Sequence, residues 1–279
     1  MTDRYCVMGN PVEHSKSPWI HARFAELTGH DLRYDRQQVL PGDFPRAVQA
    51  FRAEGGKGCN VTVPFKFEAA ALATRRSARA QLAQACNTLR FDGHEIFGDN
   101  TDGIGLVSDI AGNAGVALAG LDLLLIGAGG AAAGVLGPLI EARPRTIVVA
   151  NRNKERAARL MERHASLGRA HGVALVAAGL DDIRGAFDLL VNATASSLSG
   201  GSVPVPATVL KPGALACDMM YGPLAHAFLD WAQRHGAVPR DGLGMLVEQA
   251  AEAFRIWRGV RPPSTQVLAE LRSMVDSQR

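Results

Sequence analysis

Short apolar runs alternate with longer amphipathic stretches along most of the chain, and this alternation predicts an α/β protein. Tyr5–Met8, Leu32–Val39 and Gly58–Val63 read as strands. Ser17-Pro18 reads as a helix start, with serine at the N-cap and proline at N1. Asp43–Glu54 reads as a helix closed by Gly55-Gly56. Alanine-rich helical segments fill Glu68 to Ala85, and Thr88–Phe91 with Glu95–Phe97 predict a hairpin turning at Asp92-Gly93. A helix from Asp102 leads to Gly120, and a second unit begins there. Its predicted strands are Leu123–Ile126, Thr146–Ala150, Val173–Ala177, Asp188–Val191 and Ala214–Asp218, with helices at 130–142 and 154–167. After Arg240 the pattern is helical to the end.

The 279 residues suit two domains. We expect 1–102 with 240–279 to form one and 103–239 the other. The residues are 47% hydrophobic and 20% charged, as in an ordinary globular protein. Residues 121–140 have the length of a membrane span, but Asp122 and Pro138 interrupt them, and they divide into a short strand and a Gly/Ala-rich helix start. No membrane segment is expected. The net charge of +3 is mild and aromatics are only 6%, which argues against a nucleic-acid partner. Cys6, Cys59, Cys86 and Cys217 lack any C-x-x-C pairing, so no metal site is expected. They read as buried free thiols of a cytoplasmic protein. The N-terminus has no apolar signal region.

Gly127-Ala128-Gly129-Gly130-Ala131-Ala132 fits the pattern G-x-G-x-x-G/A between a predicted strand and a predicted helix. That context matters, because glycine lets the backbone approach a pyrophosphate and the helix N-terminus supplies free N–H groups. The next strand ends in Asn151-Arg152-Asn153-Lys154-Glu155-Arg156. A carboxylate placed there would hold a ribose 2′-hydroxyl; here there is Asn151 and then Arg152. Guanidinium groups bind a 2′-phosphate, and Arg152 and Arg156 lie four residues apart. The segment therefore points to NADP.

A hydride cofactor calls for a group that handles a proton. Lys66 sits between Phe65 and Phe67 just past a predicted strand, and Asp102 lies in Gly98-Asp99-Asn100-Thr101-Asp102-Gly103. The two are candidates for an acid/base pair, against a surface lysine and a helix-capping aspartate. Ser15 and Ser17, Asn60 and Thr62, and Asn87 are uncharged donors and acceptors suited to a hydroxylated or carboxylated small molecule. His14, beside the serines, reads as structural. Leu246, Ala250, Ala253, Phe254 and Trp257 form one apolar stripe, with Gln249 at its edge.

GNPVEHSKSPWIH, NVTVPFK, GDNTDG, GAGGA, NRNKER, NAT, DMMY and DGLGMLVEQAAEAF occur in order from residue 9 to 254. Together they closely resemble the shikimate dehydrogenase family over nearly the whole chain. The resemblance implies a substrate domain and a Rossmann-type NADP-binding domain with a cleft between them. It also implies NADPH-dependent reversible reduction of 3-dehydroshikimate to shikimate, on the route to chorismate and the aromatic amino acids. By the same resemblance, Ser15 and Ser17 bind the substrate carboxylate, and Asn60, Thr62, Asn87 and Asp102 hold its hydroxyls. Lys66 is the acid/base paired with Asp102, and Tyr221 and Gln249 complete the substrate site. Gly127, Ala128, Gly129, Gly130, Ala131, Asn151, Arg152, Asn153 and Arg156 bind NADP, with Thr194, Met219 and Gly242 beside the nicotinamide. Such an enzyme would be a monomer or a homodimer.

There are departures from the family pattern. Ala132 and Ala133 follow the glycines where the family often has a basic residue. Lys154 stands where a small residue is common and would compensate electrostatically. NAT continues as Ala195-Ser196-Ser197. Two other readings stay open: a quinate/shikimate dehydrogenase preferring NAD, and a non-catalytic sensor of dinucleotide or shikimate-like ligands. Arg152 and Arg156 argue against the first, and the Lys66/Asp102 pair against the second.

Overall fold

The computed structural model describes residues 2–194 and 203–277. The chain divides into two units, Met1–Gly105 with Leu246–Arg279, and Leu106–Met245.

The first unit opens with β1 (Asp3–Gly9), α1 (Ser17–Thr28), β2 (Leu32–Gln38), α2 (Phe44–Ala53), β3 (Gly56–Val61) and α3 (Lys66–Leu72). β4 (Arg75–Arg76), α4 (Ala78–Ala83), β5 (Thr88–Asp92) and β6 (Glu95–Asp99) follow. Six strands form one sheet in the order β2-β1-β3-β5-β6-β4. β1, β2 and β3 are parallel, while β5 runs antiparallel to both β3 and β6. The register aligns Asn60 with Thr88, and Thr88 with Asp99. Three polar residues far apart in sequence thus form one row at one end of the sheet. Below them lies an apolar core of Met8, Phe44, Val48, Phe65, Leu89 and Ile96, among others. Phe44 and Phe65 stack with ring centroids 5.0 Å apart.

The second unit takes in the end of α5 (Asp102–Ser108), from Leu106 on, a single π-helical turn at Asp109–Asn113, β7 (Asp122–Ile126), α6 (Gly130–Glu141), β8 (Thr146–Ala150) and α7 (Lys154–His171). β9 (Ala174–Ala178), β10 (Phe187–Asn192), β11 (Leu210–Asp218), α8 (His226–Arg234) and β12 (Val238–Arg240) complete its sheet and helices. The sheet order is β12-β11-β10-β7-β8-β9, and every pair is parallel. This is the doubly wound Rossmann arrangement, whose strand order reverses between β7 and β10. Strands such as DLLLI and TIVVA are continuous apolar runs, as burial on both faces requires. Residues 121–140 divide between β7 and α6, and α6 runs on through Pro138. Among the described residues no helix is long and apolar enough to cross a membrane. α9 (Leu243–Arg258) and α10 (Ser264–Asp276) end the chain.

Several local expectations are corrected. Ser17 is the first residue of α1 and not its cap; Lys16 holds the N-cap position with no side-chain cap bond. β3 ends at Val61, which leaves Thr62 one residue beyond the strand. The stretch from Glu68 to Ala85 is broken by β4, because Thr74 exchanges hydrogen bonds with Ile96 and draws the chain onto the sheet edge. α7 runs past residue 167 and ends at the left-handed Gly172; Gly168 stays within the helix, where a Cβ would crowd Leu175 of β9. β12 and α8 carry little sequence signal and were not expected.

Phe65→Ala should cost about 3–5 kcal/mol of unfolding free energy, since the ring is fully buried and stacked. Urea denaturation of the variant measures this.

Candidate active site

Within the first unit, the end of the sheet that carries Asn60, Thr88 and Asp99 gathers most of the polar residues singled out above. Lys66 is the first residue of α3, held there because its carbonyl accepts the Cys86 N–H at 2.8 Å. Its ammonium donates to Asp102 Oδ2. The pair is well shielded, with only 14% of the lysine and 7% of the aspartate side-chain surface accessible. The shielding has a different source from the one expected. Phe65 is fully buried, but Phe67 is 49% exposed and gives no cover. Cover comes from the polar layer around Asp102.

That layer centres on Asn87, immediately ahead of β5. Its Nδ2 lies 2.8 Å from Asp102 Oδ1, 2.9 Å from Thr101 Oγ1 and 3.3 Å from Gln249 Oε1. Its Oδ1 accepts the Thr101 N–H at 2.8 Å and the Thr88 hydroxyl at 3.0 Å. The Asn60 amide is similarly occupied: Nδ2 donates to the Asn87 carbonyl at 3.2 Å and to Thr88 Oγ1 at 3.1 Å, and Oδ1 accepts the Tyr34 hydroxyl at 2.7 Å. Gln249 Nε2 donates to the Leu246 carbonyl at 2.8 Å. The Thr62 hydroxyl makes no hydrogen bond among the described residues. Ser15 Oγ accepts the Ser17 N–H at 3.2 Å, and the Ser15 carbonyl accepts two bonds from Arg36 at 2.6 and 2.9 Å. His14 is exposed on that loop and takes no part in a core.

α9 departs from the one-sided stripe. Glu248, Gln249 and Glu252 are buried along with its apolar residues. Cations make this tolerable: Arg261 donates to Glu248 at 2.8 Å, and Arg79 and Arg255 to Glu252 at 2.9 and 2.8 Å. Arg255, with Arg79, pulls Glu252 down to about 2. The sequence reading also passed over His21 and Tyr34. Their rings stack at 4.3 Å and 8°, and neither ring nitrogen of His21 has a hydrogen-bond partner among the described residues. Apolar spacing on α1 was the available signal, and the HSKSP motif beside it obscured it.

In the second unit the chain turns at Gly127, where φ is 113° and a Cβ would stand 3.0 Å from the Ala193 carbonyl. Gly129, by contrast, faces open space, in front of the free N–H groups that begin α6. Gly127, Ala128, Gly129, Gly130 and Ala131 therefore have the room and the donors to fit a pyrophosphate. After β8, Asn153 caps α7 by accepting the Arg156 N–H at 2.9 Å, and Asn151 donates to the Asn153 carbonyl at 2.8 Å. The two asparagines shape the loop. The Arg152 and Arg156 guanidinium groups are exposed and make no ion pair among the described residues. Such a loop fits a phosphate monoester. Lys154 pairs with Asp182 at 3.2 Å, and both side chains are exposed.

Thr194 donates to Asn192 Oδ1 at 2.7 Å, close to Gly127, and the Met219 N–H donates to the Asn192 carbonyl at 3.1 Å. A Cβ on Gly242 would overlap the Met219 carbonyl. Thr194, Met219 and Gly242 thus gather with the glycine turn at the carboxyl ends of this sheet's strands. Tyr221 is half-buried in the same unit, ahead of a 3-10 turn at Gly222–Ala225. Ala195, Ser196 and Ser197 lie outside the described residues. Cys6, Cys59, Cys86 and Cys217 are free and buried, and burial pushes the Cys86 thiol up to about 12.

Three family profiles match the chain in order. The shikimate dehydrogenase substrate binding domain matches residues 7–89, shikimate / quinate 5-dehydrogenase 109–199, and the shikimate 5'-dehydrogenase C-terminal domain 242–272. The shikimate dehydrogenase (NADP(+)) of Acidovorax sp. (strain JS42) is 63% identical over 98% of this chain and 97% of its own length. The chain belongs to the shikimate dehydrogenase family. Among solved structures, an Ael1 enzyme from Pseudomonas putida is 45% identical with a TM-score of 0.86, covering 97% of this chain and 98% of its own. The shikimate 5-dehydrogenase of Thermus thermophilus, in complex with NADP(H) and shikimate, is 33% identical with a TM-score of 0.84. That match covers 98% of this chain and 99% of the other. The family's two-domain α/β fold, with an N-terminal substrate-binding domain and a Rossmann-type sheet, is the fold seen here.

The buried histidine gives a pH signature. Burial pulls folded His21 down to about 3 from an ordinary 6.5. Between those values the unfolded chain binds the extra proton, so stability falls as pH drops through the window, by up to about 1.4 kcal/mol per pH unit. His21→Phe, which keeps an aromatic ring in the stack, should flatten the slope of unfolding free energy against pH from 6.5 towards 3. His164, lowered to about 4 by its own burial, contributes to the remaining slope, and below about 4.5 so do Glu252 and Glu270, each held at about 2 by paired arginines. Denaturant titrations across that range test it, and an unchanged slope would assign the whole effect to other groups.

Proposed function

We propose that this protein is a shikimate dehydrogenase that reversibly reduces 3-dehydroshikimate to shikimate with NADPH, serving the biosynthesis of chorismate and the aromatic amino acids. The observation that carries the proposal is the shielded Lys66–Asp102 pair, set among Asn87, Thr101 and Gln249, in a chain 63% identical to an NADP-dependent shikimate dehydrogenase over nearly its whole length.

NADPH, when bound, supplies the hydride. Gly127 to Ala131 hold its pyrophosphate at the start of α6, and Asn151 to Arg156 hold its 2′-phosphate. Thr194, Met219 and Gly242 shape the surface for the nicotinamide. Lys66 donates a proton to the carbonyl oxygen as charge develops there, and in the reverse direction it takes the proton from the hydroxyl. Asp102 orients the ammonium and accepts from a substrate hydroxyl. Thr62 offers a hydroxyl with no protein partner among the described residues, so it is well suited to a direct substrate contact. Asn60 and Asn87 have amide hydrogens already committed to protein acceptors, and we assign them chiefly to orienting their neighbours. Ser15 and Ser17 take the substrate carboxylate; Gln249 and Tyr221 complete the site. In this reading residues 1–102 with 240–279 form the substrate domain and 103–239 the NADP domain. The enzyme works in the cytoplasm as a monomer or homodimer, with no nucleic-acid partner.

Lys66→Ala should lower kcat by at least about a hundredfold, within the range for removing a general acid or base; its melting temperature should fall, because the shielded Asp102 loses its partner, with unfolding still cooperative and above the assay temperature. Near-normal turnover would remove Lys66 from the chemistry. A steady-state assay crossing shikimate and quinate with NADP⁺ and NAD⁺ tests the rest. Shikimate with NADP⁺ should dominate by about a hundredfold in kcat/KM, or roughly 2.7 kcal/mol. The double variant Arg152→Ala/Arg156→Ala should lose most of the NADP⁺ preference and keep its NAD⁺ rate. Equal use of NAD⁺ by the unaltered protein would favour an NAD-preferring quinate/shikimate dehydrogenase.

A further inference from the structure

Arg79 belongs to none of the motifs quoted above. It lies on α4, and its guanidinium grips Asp99 with two prongs, Nε to Oδ1 at 2.7 Å and Nη2 to Oδ2 at 2.8 Å. The same Nη2 donates to Glu252 Oε1 at 2.9 Å. Both carboxylates are buried, with 4% and 5% of their surface accessible. Their positions along the chain give the bridge its interest. Asp99 ends β6 three residues before Asp102 begins α5, and Glu252 lies three residues after Gln249, about one turn further along α9.

From Asp99 a run of short bonds leads to Asp102. Asp99 Oδ1 accepts the Asn100 N–H at 2.7 Å, and Asn100 Oδ1 accepts the Asp102 N–H at 3.2 Å. Ser77 holds Asp99 from the other side at 2.5 Å while capping α4 through the Ala80 N–H. The segment from Asp99 to Asp102 and the helix are thus tied at two levels: at Gln249, which accepts from Thr101 Oγ1 and Asn87 Nδ2, each at 3.3 Å, and one turn on at Glu252 through Arg79. The long bonds at Gln249 alone would leave the segment free to pivot about that residue; the charged bridge at Glu252 adds a second fixed point along α9.

We infer that Arg79 is a positioning residue for the candidate active site, its bridge from Asp99 to Glu252 setting the distance between Asp102 and Gln249. The inference rests on the reading that Asp102 and Gln249 serve the substrate. Its rival is that Arg79 only neutralises two buried carboxylates. Removing all three charges together separates the two, because it leaves no unpaired buried carboxylate and no bridge.

The test compares Arg79→Met/Asp99→Asn/Glu252→Gln, Arg79→Lys and Asp102→Asn with the unaltered enzyme. Steady-state kinetics with shikimate and NADP⁺ are measured beside melting temperatures. The triple variant should unfold cooperatively and keep its KM for NADP⁺. Its kcat/KM for shikimate should fall about a hundredfold, the scale of an ångström-sized misplacement, shared between a lower kcat and a higher KM. Arg79→Lys offers one point charge for a three-bond fork and should lose about tenfold. A triple variant with unaltered kinetics for shikimate would overturn the inference in favour of neutralisation. If the triple variant does not fold, Arg79→Lys with unaltered kinetics overturns it equally. Normal turnover by Asp102→Asn would overturn the reading of the site itself, whereas loss there with normal Arg79 variants would overturn only the bridge.

Discussion

The Asn87 amide has two hydrogens and three acceptors within reach, while its carbonyl oxygen accepts from Thr101 and Thr88. At 3% exposure, water cannot make good a missing partner, and a buried amide left unsatisfied costs about 1–3 kcal/mol. The β3–β5–β6 register, the GDNTD loop and α9 must therefore all be in place together. This constraint also fixes Asp102. Asn87 holds Oδ1 and so turns Oδ2 towards Lys66, while the carboxylate keeps lone pairs for a further donor. The ion pair inherits its geometry from a neutral group.

Charge is layered outward from that amide. Lys66 and Asp102 neutralise each other on one side of it. On the other, Asp99, Glu248 and Glu252 are balanced by Arg79, Arg255 and Arg261. Buried ion pairs contribute little net stability, because desolvation offsets most of the Coulomb attraction. Replacing them with apolar side chains would keep a core and lose a defined arrangement. Their role here is best understood as geometric. Fork-shaped guanidinium groups accept only a narrow range of carboxylate placements.

The parts legible in the sequence share a physical property: each is set by neighbours a few residues away. Gly127 turns because of its own φ and the strand before it, and Asn153 caps a helix that begins one residue later. The strands of the Rossmann-type sheet announce themselves as unbroken apolar runs. Reading failed where a partner came from far off. Phe67 looked like apolar cover for Lys66, yet α3 begins at Lys66 and turns that ring out to solvent. The stripe on α9 looked one-sided because Glu248 and Glu252 are charged, and the arginines that allow their burial include one 173 residues away. Ser17 looked like a cap, although the helix had already begun.

The two candidate sites consequently differ in kind. The candidate phosphate-binding features of the second unit are two short loops, each complete within one strand–helix connection, and a substitution there acts on one loop. Those of the first unit come from several separate stretches of chain brought together by sheet register and a returning helix. A change at Thr88, Asp99 or Arg79 therefore reaches Asp102 without touching it, through bonds that must all re-form at once. Lys66 stands where this matters most. It begins α3, and the partner that orients its ammonium is itself oriented by the Asn87 amide, just ahead of β5. Placing the lysine after a strand accounts for its anchorage, and the aim of its ammonium is set from across the sheet.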